Sequence, residues 1–144
     1  MTRTTIASIA ILALAAAHPA FACACRPHSI GDDVEGAKQI YVARVVSAKE
    51  ITPHDSNRYP SVLATLVVVE SLKGEVEVGS TREVEFTHPC GVDVVISSSY
   101  VVFEHSPNAT GRCDGTTRLT RENPAEDEKF VGEVRRLARQ RGGG

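Results

Sequence analysis

Four cysteines, Cys23, Cys25, Cys90 and Cys113, constrain this chain more than any other feature. Their meaning depends on what precedes them. Arg3 is followed by the charge-free run "IASIAILALAAA", then by Pro19 and the small-residue pattern Ala20-Phe21-Ala22. A basic start, an apolar stretch of about a dozen residues and an A-x-A site predict a secretory signal peptide over residues 1-22, too short to span a bilayer. The thiols then enter an oxidising compartment, and an even number of them predicts two disulfides. Cleavage after Ala22 makes Cys23 the first residue of the mature chain. Lipid attachment at Cys23, which would anchor the protein, is an alternative. Ala20 and Phe21 fit that signal poorly, since it favours an aliphatic residue three places before the cysteine and a small one two before.

A bridge between Cys23 and Cys25 would close a strained ring across one residue, so each must reach a distant partner. Two arrangements remain open. Either one clamps the start of the mature chain to "THPCG" and to "GRCDG". Chain termini are normally loose, and Pro27 further stiffens the exit from this one.

The mature chain of 122 residues (144 minus 22) fits one domain. Its balance is slightly acidic, with a formal charge of −2 for the whole sequence, and it has no Trp. Neither a basic patch nor interleaved aromatics suggest nucleic acid as a partner. No second apolar run follows the leader, which predicts no membrane span.

Apolar residues Ile30, Val34, Ala37 and Ile40 recur near helical spacing, with Asp32 and Asp33 early, and predict a short helix. Beyond it the composition turns to β. "IYVARVVSAKE", "SVLATLVVVESL", "STREVEFT", "VDVVIS" and "SYVVFEH" are rich in Val, Ile and Thr and are separated by Gly and Pro turns. Val84 and Phe86 alternate with Glu83 and Glu85, as in a strand with one wet face. "TLVVVESL" does not alternate and reads as a strand covered on both faces. Five or six short strands in this length predict a small barrel or sandwich. Asn123 as N-cap, Pro124, Glu126 and the apolar row Phe130, Val131, Val134, Leu137 and Ala138 predict an amphipathic helix over about 124-140. Arg135, Arg136, Arg139 and Arg141 read as its solvated, dipole-matched end, and residues 142-144 as a disordered tail.

Chemistry-bearing motifs are sparse. The sequence contains no Cys-x-x-Cys, His-Glu-x-x-His, Gly-x-Ser-x-Gly or Walker-type loop, so it predicts no enzyme and no cofactor of its own. A soft metal on Cys23, Cys25 and His28 would need reduced thiols. His54, His88 and His105 are scattered and read as solvent-exposed.

The "CACRP" start, the short helix, the strand "IYVARVVSAKE", the loop "ITPHDSNRYPS", the strand ending "LKG", the pair Cys90-Gly91 and the last Cys113 together resemble the N-terminal domain of the tissue inhibitors of metalloproteinases. That family resemblance implies a netrin-like, five- to six-stranded Greek-key OB-fold barrel over residues 23-141, mainly β with flanking helices. It implies bridges Cys23 to Cys90 and Cys25 to Cys113. It also implies a monomeric, secreted or periplasmic inhibitor of a zinc metalloendopeptidase, in which the free amine and carbonyl of Cys23 chelate the target's zinc. Ala24 would enter the S1′ pocket, Cys25, Arg26 and Pro27 would continue the wedge, and His88 and Pro89 would flank it; the loop from Ile51 to Pro60 would add a second touch point. Chemistry supports such a contact: an α-amine and its own carbonyl close a five-membered chelate, and a catalytic zinc keeps a position open. Two departures from the family's pattern are expected: four cysteines leave no third disulfide, and one amphipathic helix follows the last strand. A netrin-like binding module with no zinc contact is the alternative.

Overall fold

A computed structural model of the chain describes residues 25–26, 28–51, 60–87, 93–120 and 122–141. It is mainly β, with six strands in one mixed sheet that curls into a half-barrel. In chain order the elements are helix α1 (Ile30–Gly36), strands β1 (Gln39–Ile51), β2 (Ser61–Lys73), β3 (Thr81–Phe86), β4 (Ser99–Glu104) and β5 (Ala109–Thr110). A 3₁₀ turn (Arg112–Asp114), strand β6 (Thr117–Leu119) and helix α2 (Pro124–Arg141) complete the chain. The strands lie in the order β5-β3-β2-β1-β4-β6. All neighbours run antiparallel except β3 and β5.

Curvature comes from β1. It pairs with β2 along its whole length and with β4 through Gln39–Arg44, and its register against β2 shifts at three places. Such irregularities increase local twist and let one long strand serve two partners at different angles.

Alternation along the strands builds two cores. Tyr41, Ala43 and Val45 face inward with Ala64, Leu66, Val68, Val84, Phe86, Tyr100 and Val102. Phe86 and Tyr100 meet edge-on there, with ring centroids 5.9 Å apart, a geometry that contributes about 1 kcal/mol beyond burial. The opposite face of β1 and β4, carrying Ile40, Val42, Val101 and Phe103, is covered by Val34 of α1 and by Val131, Val134 and Ala138 of α2. The strand covered on both faces is therefore β4. The expectation that this would be "TLVVVESL" needs correcting: Val69 of β2 is 55% exposed, because the helices cross β1 and β4 and meet β2 near its end, through Glu70, Leu72 and Lys73.

Both helices start where their capping signals stand. Ser29 caps α1 in a reciprocal capping box with Asp32, whose carboxyl is held below its ordinary range by the Ser29 backbone and hydroxyl. The helix stops at Gly36, short of the Ile40 expected on the same periodicity. Lys73 crowns its C-terminal end, donating to the carbonyl oxygens of Val34 at 2.7 Å and Ala37 at 2.5 Å. In α2 the first turn closes as Glu126 N and Asp127 N donate to the Asn123 carbonyl oxygen at 3.1 and 3.2 Å.

"VDVVIS" was expected to be a strand, but its described residues, 93–97, form a loop. The Tyr100 hydroxyl takes its backbone groups, donating to Asp93 O at 2.6 Å and accepting from Val95 N at 2.9 Å. Ser97, at φ 69°, then turns its N–H onto the Val45 carbonyl at 2.9 Å. Conversely, β5 arises within "SPNATGRCDG", which reads as a turn, and β6 follows directly after it. They are two and three residues long and are held by β3 and β4.

The arginines of α2 are only partly a solvated face. Arg135 grips Glu70 of β2 through Nε and Nη2 at 2.8 and 3.0 Å. Arg141 reaches Glu35 and donates to Gly31 O at 2.9 Å. The two clamp α2 onto the sheet and onto α1.

Candidate functional site: the tethered N-terminal segment

The described chain begins at the tether. Cys25 is bonded to Cys113, with α-carbons 5.2 Å apart and 88 positions between them in sequence. Cys25 is half-buried, while Arg26 and Cys113 are exposed.

The anchor on the barrel side is stiff. Cys113 sits in the 3₁₀ turn, whose ends close through Asp114 N on Gly111 O at 3.1 Å and Gly115 N on Arg112 O at 3.3 Å. Gly115 adopts φ 89°, and a Cβ there would stand 2.7 Å from Asp33 Oδ2. Glycine is thus required both by the left-handed backbone and by the close approach of α1. His105, half-buried, adds a contact between its Nε2 and Asp114 O at 3.2 Å, and its ring lies against Gly36. The reading of His105 as a solvent-exposed histidine is overturned, because the turn and α1 close over it.

A second link follows the disulfide in the chain. His28 Nδ1 lies 2.6 Å from Asp33 Oδ1, so the segment that carries Arg26 is pinned on both sides, by sulfur at Cys25 and by a charge-capable contact at His28. Burial pushes the Asp33 carboxyl above its ordinary range, and the two histidines facing it, His28 and His105, oppose that shift. Behind the tether lies a cleft of about 600 Å³ lined by Ile30, Asp33, Arg112, Gly115, Thr116 and Phe130 among others.

Of the residues expected to act, Cys25, Arg26 and Cys113 lie in the described part, and the first and last are bonded to each other. Cys23, Ala24, Pro27, His88, Pro89 and Cys90 lie outside the described residues, as do His54, the signal segment, the tail at 142-144 and most of the loop from Ile51 to Pro60. A soft-metal site using Cys25 and His28 is not what the structure holds, since Cys25 is in a disulfide and His28 is turned onto Asp33. Among the described residues, no group of three or more His, Cys, Asp or Glu side chains is placed to hold a metal ion. No described helix is long and apolar enough to cross a membrane.

Asp33 and Gly115 were not singled out from the sequence. Their signals were present but ordinary: an acidic residue in a first helical turn, and a glycine two positions after a cysteine. What such an arrangement can do is present a short, exposed peptide in a fixed conformation, and fixing a binding segment beforehand reduces the ordering cost of association. No family model matches the chain, and a search of curated proteins finds no match.

Proposed function

We propose that this chain is an exported protein inhibitor of zinc metalloendopeptidases, acting through the N-terminal amine and carbonyl of Cys23 once the leader is removed. The observation that carries the reading is the Cys25–Cys113 bridge. It ties Cys25, the third residue of the expected mature chain, to a turn closed by two backbone hydrogen bonds, which would give the two residues ahead of it a fixed starting point. The second bridge, Cys23 to Cys90, would hold them from the other side. Ala24 would then enter the S1′ pocket, with Arg26, Pro27, His88 and Pro89 on the flanks.

The α-amine suits the task. Its ordinary pKa of about 7.7 to 8.0 lets a metal displace its proton at modest cost near neutral pH. The disulfide sulfurs hold the backbone and bind no metal.

We also assign the half-barrel to the OB type with Greek-key connections. Supporting this are the order β5-β3-β2-β1-β4, the parallel β3–β5 pair and the Ser106–Ala109 bridge that starts to bring β5 back beside the end of β4.

A second reading, a binding module without zinc contact, draws on one observation. Val46, Val95 and Ile96 are 43%, 39% and 57% exposed, and the loop carrying two of them is fastened to β1 at Val45. An apolar surface of this kind suits protein recognition away from the N-terminus.

Titration of the natively exported protein against several zinc endopeptidases separates the two. Inhibition that disappears when one alanine is added ahead of Cys23 supports chelation. Binding that survives the extra residue supports the module.

A further inference from the structure

The cleft behind the tether has a volume of about 600 Å³, a size that suits a small ligand or a few residues of a peptide. Its lining is of two kinds. Ile30 of α1 and Phe130 of α2 are apolar and half-buried, packed against the core beneath the helices with part of their surface left over for the cleft. Arg112, next to Cys113, and Arg118 of β6 are exposed and line the same cleft.

The charges there are not balanced. Arginines that dock elsewhere on the fold have carboxylates: Glu104, 2% exposed at the mouth of the barrel, holds Arg82 at 3.1 Å, Glu70 holds Arg135, and Glu35 holds Arg141. Among the described residues neither Arg112 nor Arg118 lies in an ion pair. Arg118 faces the Tyr100 hydroxyl, a neutral group that leaves its charge unanswered. Asp33 also lines the cleft, but His28 holds its carboxyl at 2.6 Å. Among the described lining residues this leaves the carboxylate of Asp93 against two guanidiniums.

We infer that this cleft docks a segment of a partner protein in which an apolar side chain stands next to an aspartate or glutamate. The apolar side chain removes water from Ile30 and Phe130. The carboxylate answers the guanidiniums, whose forked donors match it. Other occupants fit less well. A cationic segment would meet two unanswered guanidiniums, and a neutral apolar one would take water from them without supplying an anion. A chain of phosphates or sulfates brings repeated negative charge against Asp33 and Asp93 and nothing for the apolar lining. Because Arg112 adjoins Cys113, which is bonded to Cys25, a partner seated here lies beside the tethered segment. The inference holds with or without a zinc contact.

The test is an NMR titration of the exported, oxidised protein, following Nε–H of Arg112 and Arg118 and the backbone amides of Gly115 and Thr117. The probes are four capped peptides, Gly-Leu-Glu-Gly, Gly-Leu-Gln-Gly, Gly-Ala-Glu-Gly and Gly-Leu-Lys-Gly, and inorganic phosphate. The Leu-Glu peptide should give saturable shifts that weaken as salt is added. Affinity should fall about tenfold for the Leu-Gln and Ala-Glu peptides, and the Leu-Lys peptide should not bind. Arg112→Gln and Arg118→Gln should each weaken the Leu-Glu peptide about threefold or more, with the backbone spectrum of the sheet unchanged. Equal binding of the Leu-Glu peptide and either the Leu-Gln or the Leu-Lys peptide overturns the inference. So does phosphate that binds as tightly as the Leu-Glu peptide, which would mark a bare anion site, or the lack of any saturable shift with that peptide across the millimolar range. The titration contains no protease, so its outcome is independent of the chelation test.

Discussion

Cys25 and Cys113, 88 positions apart in the chain, are joined at an α-carbon distance of 5.2 Å, so the start of the described chain and the turn after β5 move as one unit. This bridge closes a loop that contains α1 and the first five strands. In the chain-entropy view, a loop of this length is worth about 4 to 5 kcal/mol as an upper figure, and removing a native bridge costs about 2 to 5 kcal/mol in practice. The double variant Cys25→Ser with Cys113→Ser should therefore lose about 2 kcal/mol or more of unfolding free energy in urea. If the bridge only decorated a surface already held by other contacts, the midpoint would hardly move.

Glu104 in the barrel mouth offers a sharper contrast. Glu104→Ala leaves the Arg82 guanidinium partly buried with no carboxylate, and breaking such a pair from one side costs about 3 kcal/mol or more. Removing both charges with Glu104→Gln and Arg82→Met should cost less than Glu104→Ala alone. Thermal or denaturant unfolding of the two variants gives the order directly.

Asp33 sets a pH dependence. Its carboxyl is raised from 3.8 chiefly by burial, so the folded state holds that proton more tightly than the unfolded chain does. Its contribution to stability is complete below 3.8 and is lost as pH climbs through the higher folded value. Asp33→Asn removes this loss, so the stability of the variant relative to the parent should rise with pH across that window. A difference that stays flat, or falls, contradicts the burial assigned to Asp33.

Glu70 and Arg135 join α2 to β2 through two hydrogen bonds, but both side chains remain more than a third exposed. Solvent and salt screen such a pair. A double-mutant cycle with Glu70→Ala and Arg135→Ala should return a coupling of about 0.5 kcal/mol, shrinking as salt is added. A coupling several times larger and insensitive to salt would mean that α2 docks mainly through this pair and not through Val131, Val134 and Ala138.

What the sequence made legible was local. Asn123-Pro124 announced α2, Val84 and Phe86 announced the inward face of β3, and Cys25, too near Cys23 to bridge to it without strain, required a distant partner, which is Cys113. The same alternation that placed Val84 and Phe86 also places Arg82 inside the barrel, a polar residue on an apolar row. The misses were contacts between distant segments. Nothing within "VDVVIS" shows that the Tyr100 hydroxyl will take its backbone groups and keep it from pairing, and nothing in "NATGRC" shows that two residues will add to β3. His105 looked like any loop histidine, because the surfaces that cover it, Gly36 and the 3₁₀ turn, come from α1 and from beyond β5. Of the wedge itself, the described residues contain the tether and Arg26, while the zinc contact proposed for Cys23 rests on the cysteine pattern and the chemistry of an α-amine.

That contact is tested most directly on a cobalt-substituted zinc endopeptidase, whose visible absorption reports the metal's own ligands. Adding the mature protein with a free Cys23 amine should change the cobalt spectrum in a saturable, one-to-one titration, and acetylating the amine or adding one alanine ahead of it should abolish the change. An unchanged spectrum with every zinc endopeptidase tried, or a change that persists when the amine is blocked, contradicts chelation by the N-terminus and leaves the tethered barrel as a scaffold for another kind of recognition.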